Sequence, residues 1–437
     1  MVNTVQQPFK YRDLSGARKT NSIRSTMLRA SFFVLAIAAS TPAFADAATY
    51  WGKLGKSDIV VELSTEFENA DASVVGRYFY AKKGIDIPLR ATDIGNGELL
   101  LFEELPCTPK LCEPAFGTDA LLDELRGTVW TLRSDDGGHH LTGTWGDKQL
   151  PIELDLFGSR PVDMQPPFAP FYLADLPYEI VEGKVELTAE NRPYEYLKSS
   201  SVDPTSSDDI TENGVTYRYL TDPRSEFPFP QVASFGDSVE NVVAANRRLL
   251  TRRAAMTNSA LDCEARAYFG MGWMPGAENW LGSYGSYPDE QIEVTYISPT
   301  VMSWQESGSL YCGGAYPENH AYLTTIDMKT GEDLDKSRIF ADSKMGEYRW
   351  EAGQTLIDLA ISRRHKWDAE FEESCGMDEL IASNLDVTFK RGDIAVFTLQ
   401  GLPHVIHACQ EDIFEAPLTE LRNYLAPTAA DYFPSLR

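Results

Sequence analysis

Apolar and polar residues alternate with period two through much of the first third of the chain. This is the pattern of pleated strands with one buried face. Strand candidates fall at residues 59–63, 74–80, 87–90, 98–102, 128–132, 140–145 and 151–157. The last is the cleanest, with Ile152, Leu154 and Leu156 set inward and Glu153 and Asp155 toward water. Asp136-Gly137-Gly138 supplies hairpin chemistry before His140. Even spacing punctuated by turns predicts an all-β meander over residues 46–158, closed into a small barrel or sandwich.

The period then changes. Residues 158–170 carry four prolines, which deny both helix and central strand, and read as a linker. Within the connecting segment 159–214, Ile180, Glu182, Lys184 and Glu186 alternate, and residues 199–209, SSSVDPTSSDD, predict a loop. A helix is expected from Asp237, with Asp237 as cap and Glu240 completing a capping box. Val239, Val242, Val243, Leu249 and Leu250 form its apolar stripe. Asn246 falls on that stripe and needs a partner if buried. The other side carries Arg247, Arg248, Arg252 and Arg253.

Two strands are predicted at residues 292–296 and 320–328, joined through a Gly-, Tyr- and Cys-rich loop at Tyr311 to Pro317. Helices follow at 354–367 and 377–383. A hairpin at 385–389 and 394–399 turns on Arg391-Gly392-Asp393, and a last helix opens at Pro417 with Leu418, Leu421 and Leu425 on its docking face. Residues 215–430 therefore read as helices packed on an antiparallel sheet, and the whole chain as α+β.

Charge narrows the function. The 437 residues carry a formal −26. Residues 1–45 hold six basic residues and one acid, so the charge reaches −31 without them. Such a surface repels nucleic acid and attracts basic proteins or cations. A basic stretch ending at Arg29, an apolar run at residues 31–39 and Ala43-Phe44-Ala45 predict a secretory signal peptide over 1–45, with Met27 as an alternative start. The run is too short to span a bilayer, so no membrane span is expected after cleavage, and the location is periplasmic or secreted. The even cysteine count agrees with export; sequence neighbours suggest Cys107 with Cys112, Cys263 with Cys312, and Cys375 with Cys409.

Part of the chain resembles a known domain. The strand ending Tyr296-Ile297-Ser298, the segment Tyr311-Cys312-Gly313-Gly314-Ala315-Tyr316-Pro317 and the segment Thr325 to Gly331 are similar to a bacterial domain of unknown function. That domain is found outside the membrane in the lysozyme-sensing anti-sigma factor V and as an accessory region in some peptidoglycan deacetylases. Residues 219–230, YLTDPRSEFPFP, resemble the smaller domain that often precedes it. The chain departs from the pattern at Tyr316, where the family commonly has His. The resemblance implies lysozyme, another muramidase or peptidoglycan as partner.

Catalytic motifs do not emerge. The chain has no GxSxG, HExxH, P-loop or dinucleotide glycine pattern, and no metal or cofactor is expected. Two histidine groups remain candidates: Glu318 with His320, and His404 with His407 beside Glu411 and Asp412. A better binding candidate is YFGMGWMPGAENWLGSYGSY, residues 268–287, which sets Trp273, Trp280 and Tyr284 on a glycine-shaped loop suited to stacking on sugars or anchoring a protein. With Tyr311, Gly313, Gly314, Tyr316, Glu318 and His320, these make up the expected binding surface. The reading favours a cell-envelope binding protein over its alternatives, a hydrolase or deacetylase of cell-wall glycan or a glycan-binding accessory module.

Overall fold

The structure is a computed structural model, described over residues 46–64, 74–95, 98–113, 124–134, 137–161, 176–236, 238–273, 290–313, 318–347 and 349–437. The expected signal peptide lies outside these residues. Eight strands, β1 (Asp46–Leu54), β2 (Ser57–Ser64), β3 (Val74–Tyr80), β4 (Ile87–Gly95), β5 (Glu98–Glu104), β6 (Arg126–Ser134), β7 (His140–Trp145) and β8 (Leu150–Pro161), pair in chain order, all antiparallel. β1 closes the barrel by pairing with β8. The sequence pattern did not assign β1 as a strand. It can lie against β8 because a Cβ at Gly52 would fall 1.9 Å from the Glu153 carbonyl oxygen, so only glycine fits there. The barrel is filled by Ile59, Val61, Leu63, Leu89, Leu101, Trp130, Leu132, Ile152 and Leu154, all buried, and closure leaves no open sheet edge. β8 runs to Pro161, so the expected linker begins later than its prolines suggest.

The outer face of β2 and β3 is also covered. After helix α1 (Pro109–Cys112) and helix α2 (Leu176–Val181), helix α3 (Pro193–Ser200) lays Tyr194 edge-on against Phe79, 5.1 Å between centroids, over Val60. Beside this contact lies a buried ionic network. Arg77, 1% exposed, bonds Glu62 (2.9 Å), Asp86 (3.3 Å) and Glu195 (2.8 Å). Arg160 reaches Glu62 at 2.7 Å, and Lys198 and the Tyr194 hydroxyl each reach Asp86 at 2.9 Å. The expected alternation at residues 180–186 is not a strand: α2 ends there, with Val181 half exposed. The predicted loop at 199–209 ends α3 and supplies β9 (Thr205–Ser206).

In the C-terminal half, β10 (Ile210–Glu212), β11 (Val215–Thr221) and β12 (Pro228–Phe235) form a sheet in which β9 also pairs β11. Helix α4 (Val239–Ala265) packs on it. Ser238 caps α4, its hydroxyl accepting from the Asn241 amide, whereas the expected cap Asp237 lies outside the described residues. The stripe holds at Leu249 and fails at Val239 and Val243, 72% and 64% exposed. Asn246 finds its partner: its amide group accepts from Val232 N (2.9 Å) and donates to Val232 O (2.8 Å). The basic face is mostly consumed internally, by Arg247 with Glu332, Arg248 with Asp333 and Arg252 with Glu306.

The other face of this core is β13 (Gln291–Ile297), β14 (Val301–Leu310) and β15 (Glu318–Asp327), an antiparallel sheet with β14 central. The sequence reading missed β14, taking it into the connecting loop. The Lys329-Thr330-Gly331 turn is as expected: Gly331 has φ +73°, and a Cβ there would lie 2.0 Å from the Ala244 carbonyl oxygen of α4.

A second core gathers α5 (Gln354–Arg363), α6 (Ala369–Cys375) and α7 (Met377–Asn384) with the sheet β18 (Leu385–Lys390), β19 (Ile394–Leu399) and β20 (Asp412–Pro417); a two-stranded ribbon, β16 (Lys344–Met345) with β17 (Trp350–Glu351), precedes α5. The helix expected over 354–367 stops at Arg363, and the helix expected after Pro417 is a 3₁₀ segment, Leu418–Tyr424, with Leu418 and Leu421 buried. The architecture is α+β. Among the described residues no helix is long and apolar enough to cross a membrane.

Candidate functional site

The C-terminal end of α4 joins three parts of the molecule. Cys263 is bonded to Cys312 between β14 and β15; the other two disulfides are Cys107–Cys112 and Cys375–Cys409, so the three neighbour pairings are the ones present. Beyond the helix, the Ala267 carbonyl accepts from the Cys107 amide at 2.6 Å and the Gly270 amide donates to Glu104 at 2.7 Å. Trp273, the first ring of the expected aromatic loop, donates Nε1–H to the Cys107 carbonyl at 3.2 Å. Trp280 and Tyr284 lie outside the described residues, as do Gly314 and Tyr316.

Tyr311 and Gly313, the latter at φ +82°, leave β14 beside the Cys263–Cys312 bridge. Glu318 opens β15 opposite Leu310. His320 is 8% exposed and its ring stacks on Tyr322, 5.0 Å between centroids. The carboxylate beside it is the fully buried Glu290, whose oxygens lie 3.0 and 3.2 Å from Nε2. Sequence proximity pointed to Glu318, but sheet pairing brings in a residue thirty positions upstream. His407 sits on the 3₁₀ segment His404–Cys409, and its Nδ1 lies 3.1 Å from the Asn319 carbonyl oxygen. His407, distant in sequence, thus lies against the backbone of the strand that carries His320. Among the described residues no group of three or more His, Cys, Asp and Glu side chains is placed to hold a metal ion.

A further cluster, not anticipated from the sequence, lies at the end of the barrel that faces the α4 terminus. One oxygen of Glu103 accepts from the Tyr78 hydroxyl (2.6 Å), Trp130 Nε1 (2.9 Å) and Trp145 Nε1 (2.5 Å). Tyr80 packs edge-on against Tyr78. Burial, reinforced by Glu103, pushes the Tyr78 phenol well above its ordinary value. Burial together with Glu103 and Glu104 pushes the Tyr268 phenol up to about 12, which keeps it a neutral donor. One turn back on α4, burial pushes the Glu264 carboxyl up to about 7; Lys83 opposes the rise and Glu226 adds to it. Three converging donors fix one Glu103 oxygen inside an aromatic ring set, a geometry suited to hydroxyl groups or cations. The available signal was the inward period of Tyr78, Tyr80, Trp130 and Trp145. Period two also sets Glu103 on the face of Leu101, but which rings meet it follows only from how the strands pair.

No protein-family profile matches this sequence, and no curated protein does. Among solved structures, the chain is similar to a crystal structure of a DUF3298 family member from Bacteroides fragilis, with a TM-score of 0.30 and 12% identity over 52% of this chain and 96% of that one.

Proposed function

We propose that the chain is an exported binding protein of the cell envelope whose partner is a basic protein, lysozyme or another muramidase. The N-terminal pattern of basic residues, apolar run and Ala43-Phe44-Ala45 supports export, and three disulfides suit an oxidising compartment. The observation that carries the reading is the charge. At −26 overall, many of the cations are spent on internal carboxylates, among them Arg77, Arg90, Arg160, Arg224 and Arg252. The unmatched charge is therefore carboxylate, which accelerates encounter with a basic partner and makes it salt-sensitive.

A second reading, glycan binding, is favoured by the Glu103 cluster, where a fixed carboxylate sits among Tyr78, Tyr80, Trp130 and Trp145. Binding of the chain from Asp46 to lysozyme and, separately, to peptidoglycan fragments tests both. Saturable lysozyme binding that weakens with salt supports the first reading. Salt-insensitive glycan binding that is lost in Glu103→Gln replaces it with the second. Binding to neither overturns both.

A further inference from the structure

A cavity of about 150 Å³ opens between α2, α3 and α4, at the seam between the barrel and the C-terminal half. A partly open site of this size holds a molecule of roughly six to eight heavy atoms. One wall is apolar, formed by Pro177, Ile180 and Leu187; the other presents the acids Glu195 and Asp222 and the cations Lys198, Arg224 and Arg253.

The ion pairing around this cavity is uneven. Asp222 is held at both oxygens by Arg224, at 2.9 and 2.6 Å, and Lys198 is held by Asp86. Arg247, Arg248 and Arg252, the other cations of the same helix face, each have a carboxylate. Arg253 does not. Its Nη1 is buried without a hydrogen-bond partner among the described residues, and burial draws its pKa below the ordinary arginine value, with Asp222 only partly opposing. Glu195 is the complementary case. Its Oε1 is taken by Arg77, while its buried Oε2 has no partner among the described residues. One cavity is thus lined by a guanidinium and a carboxylate that each keep hydrogen-bonding capacity unused. Such atoms carry a desolvation penalty that a ligand can relieve.

We propose that this cavity binds a small aliphatic amino acid as its zwitterion, the carboxylate on Arg253, the ammonium group toward Glu195 and Asp222, and the side chain against Pro177, Ile180 and Leu187. A planar guanidinium edge matches a carboxylate. A phosphate, with roughly −1.5 to −2 charges, would outweigh the single cation left for it, since Lys198 and Arg224 are already held by Asp86 and Asp222. A net-neutral ligand suits a lining in which the two unsatisfied groups have opposite sign.

The test is calorimetric titration and thermal melting of the chain from Asp46 with L-alanine, L-valine, valinamide, isovalerate and inorganic phosphate, valinamide lacking the carboxylate and isovalerate the ammonium group. Saturable binding of alanine or valine is expected, at least tenfold weaker for both analogues, with no phosphate binding. Arg253→Met should abolish binding and, without ligand, melt above the parent because a partly buried guanidinium with no carboxylate partner among the described residues is gone. Should Arg253→Met fail to fold, the two analogues on the unaltered chain decide the matter. No saturable binding of either amino acid, equal binding of valine and valinamide, or preference for phosphate overturns the proposal.

Discussion

Replacing Arg77 with Met removes the cation shared by three buried carboxylates without leaving a large void. Two of the three keep other partners: Glu62 retains Arg160, and Asp86 retains Lys198 and Tyr194. Glu195 loses its hydrogen-bonding cation, since Arg77 is the donor to its Oε1 and its Oε2 is unpartnered among the described residues, and keeps only the longer-range attraction of Arg160. The substitution therefore strands a carboxylate that is 3% exposed and also loses the guanidinium stacked 4.1 Å from the Tyr194 ring. Breaking a buried pair from one side costs about 3–5 kcal/mol, roughly a thousandfold in the folded-to-unfolded ratio at the midpoint.

The pH dependence has a defined sign. In the parent, burial would raise the Glu195 carboxyl, but Arg77 and then Arg160 outweigh it and hold the group below its ordinary value. Its contribution is therefore present at neutral pH and lost as pH falls through that lowered value. Without Arg77, burial, the largest influence, is opposed chiefly by Arg160 alone, so the carboxyl is expected to rise above its unfolded value and acid to relieve the strain. Urea unfolding followed by tryptophan fluorescence should show a gap of about 4 kcal/mol near neutral pH that narrows on going to about pH 5. A gap below about 1 kcal/mol, or one that is constant or widens toward acid, refutes the reasoning.

Other substitutions test the scaffold. Asn246→Ala leaves the Val232 amide and carbonyl unpaired at the α4 interface and should cost about 2 kcal/mol in urea. Asn246→Leu, which improves the apolar stripe on paper, should not recover it. Replacing Cys263 and Cys312 together with Ser removes a bridge of sequence separation 49 and should lower stability by about 4 kcal/mol on chain entropy; equal unfolding midpoints with and without the bridge would show that the loop does not constrain the unfolded chain. For Glu264, folding raises the carboxyl to about 7, so its stabilisation is complete below the unfolded value and is lost as pH rises through 7. Glu264→Gln should flatten the stability profile between pH 5 and about 8, and an unchanged slope would mean that the group titrates normally.

The strands of the barrel were legible because a half-buried strand writes its burial into every second residue, as Ile152 and Leu154 do. Turns were legible for the same local reason: a turn such as Lys329-Thr330-Gly331 is decided by its own residues. β1 and β14 were not. β1 exists as a strand because β8 arrives beside Gly52, and β14 shows no clean alternation because both its faces are covered, with Val301, Met302, Ser303 and Trp304 all buried. Val239 and Val243 fit a stripe that the packing of α4 never covers. The sites depend on the same distinction. Glu290 beside His320, Glu103 among its three donors, and the unsatisfied pair Arg253 and Glu195 are each assembled from residues far apart in the chain. Sequence by itself determined the α+β class, the acidic charge and the positions of most turns, because those follow from composition and nearest neighbours. Which charges meet, and which are left without a partner, was decided only by tertiary structure, because burial and pairing depend on which distant segments share a face.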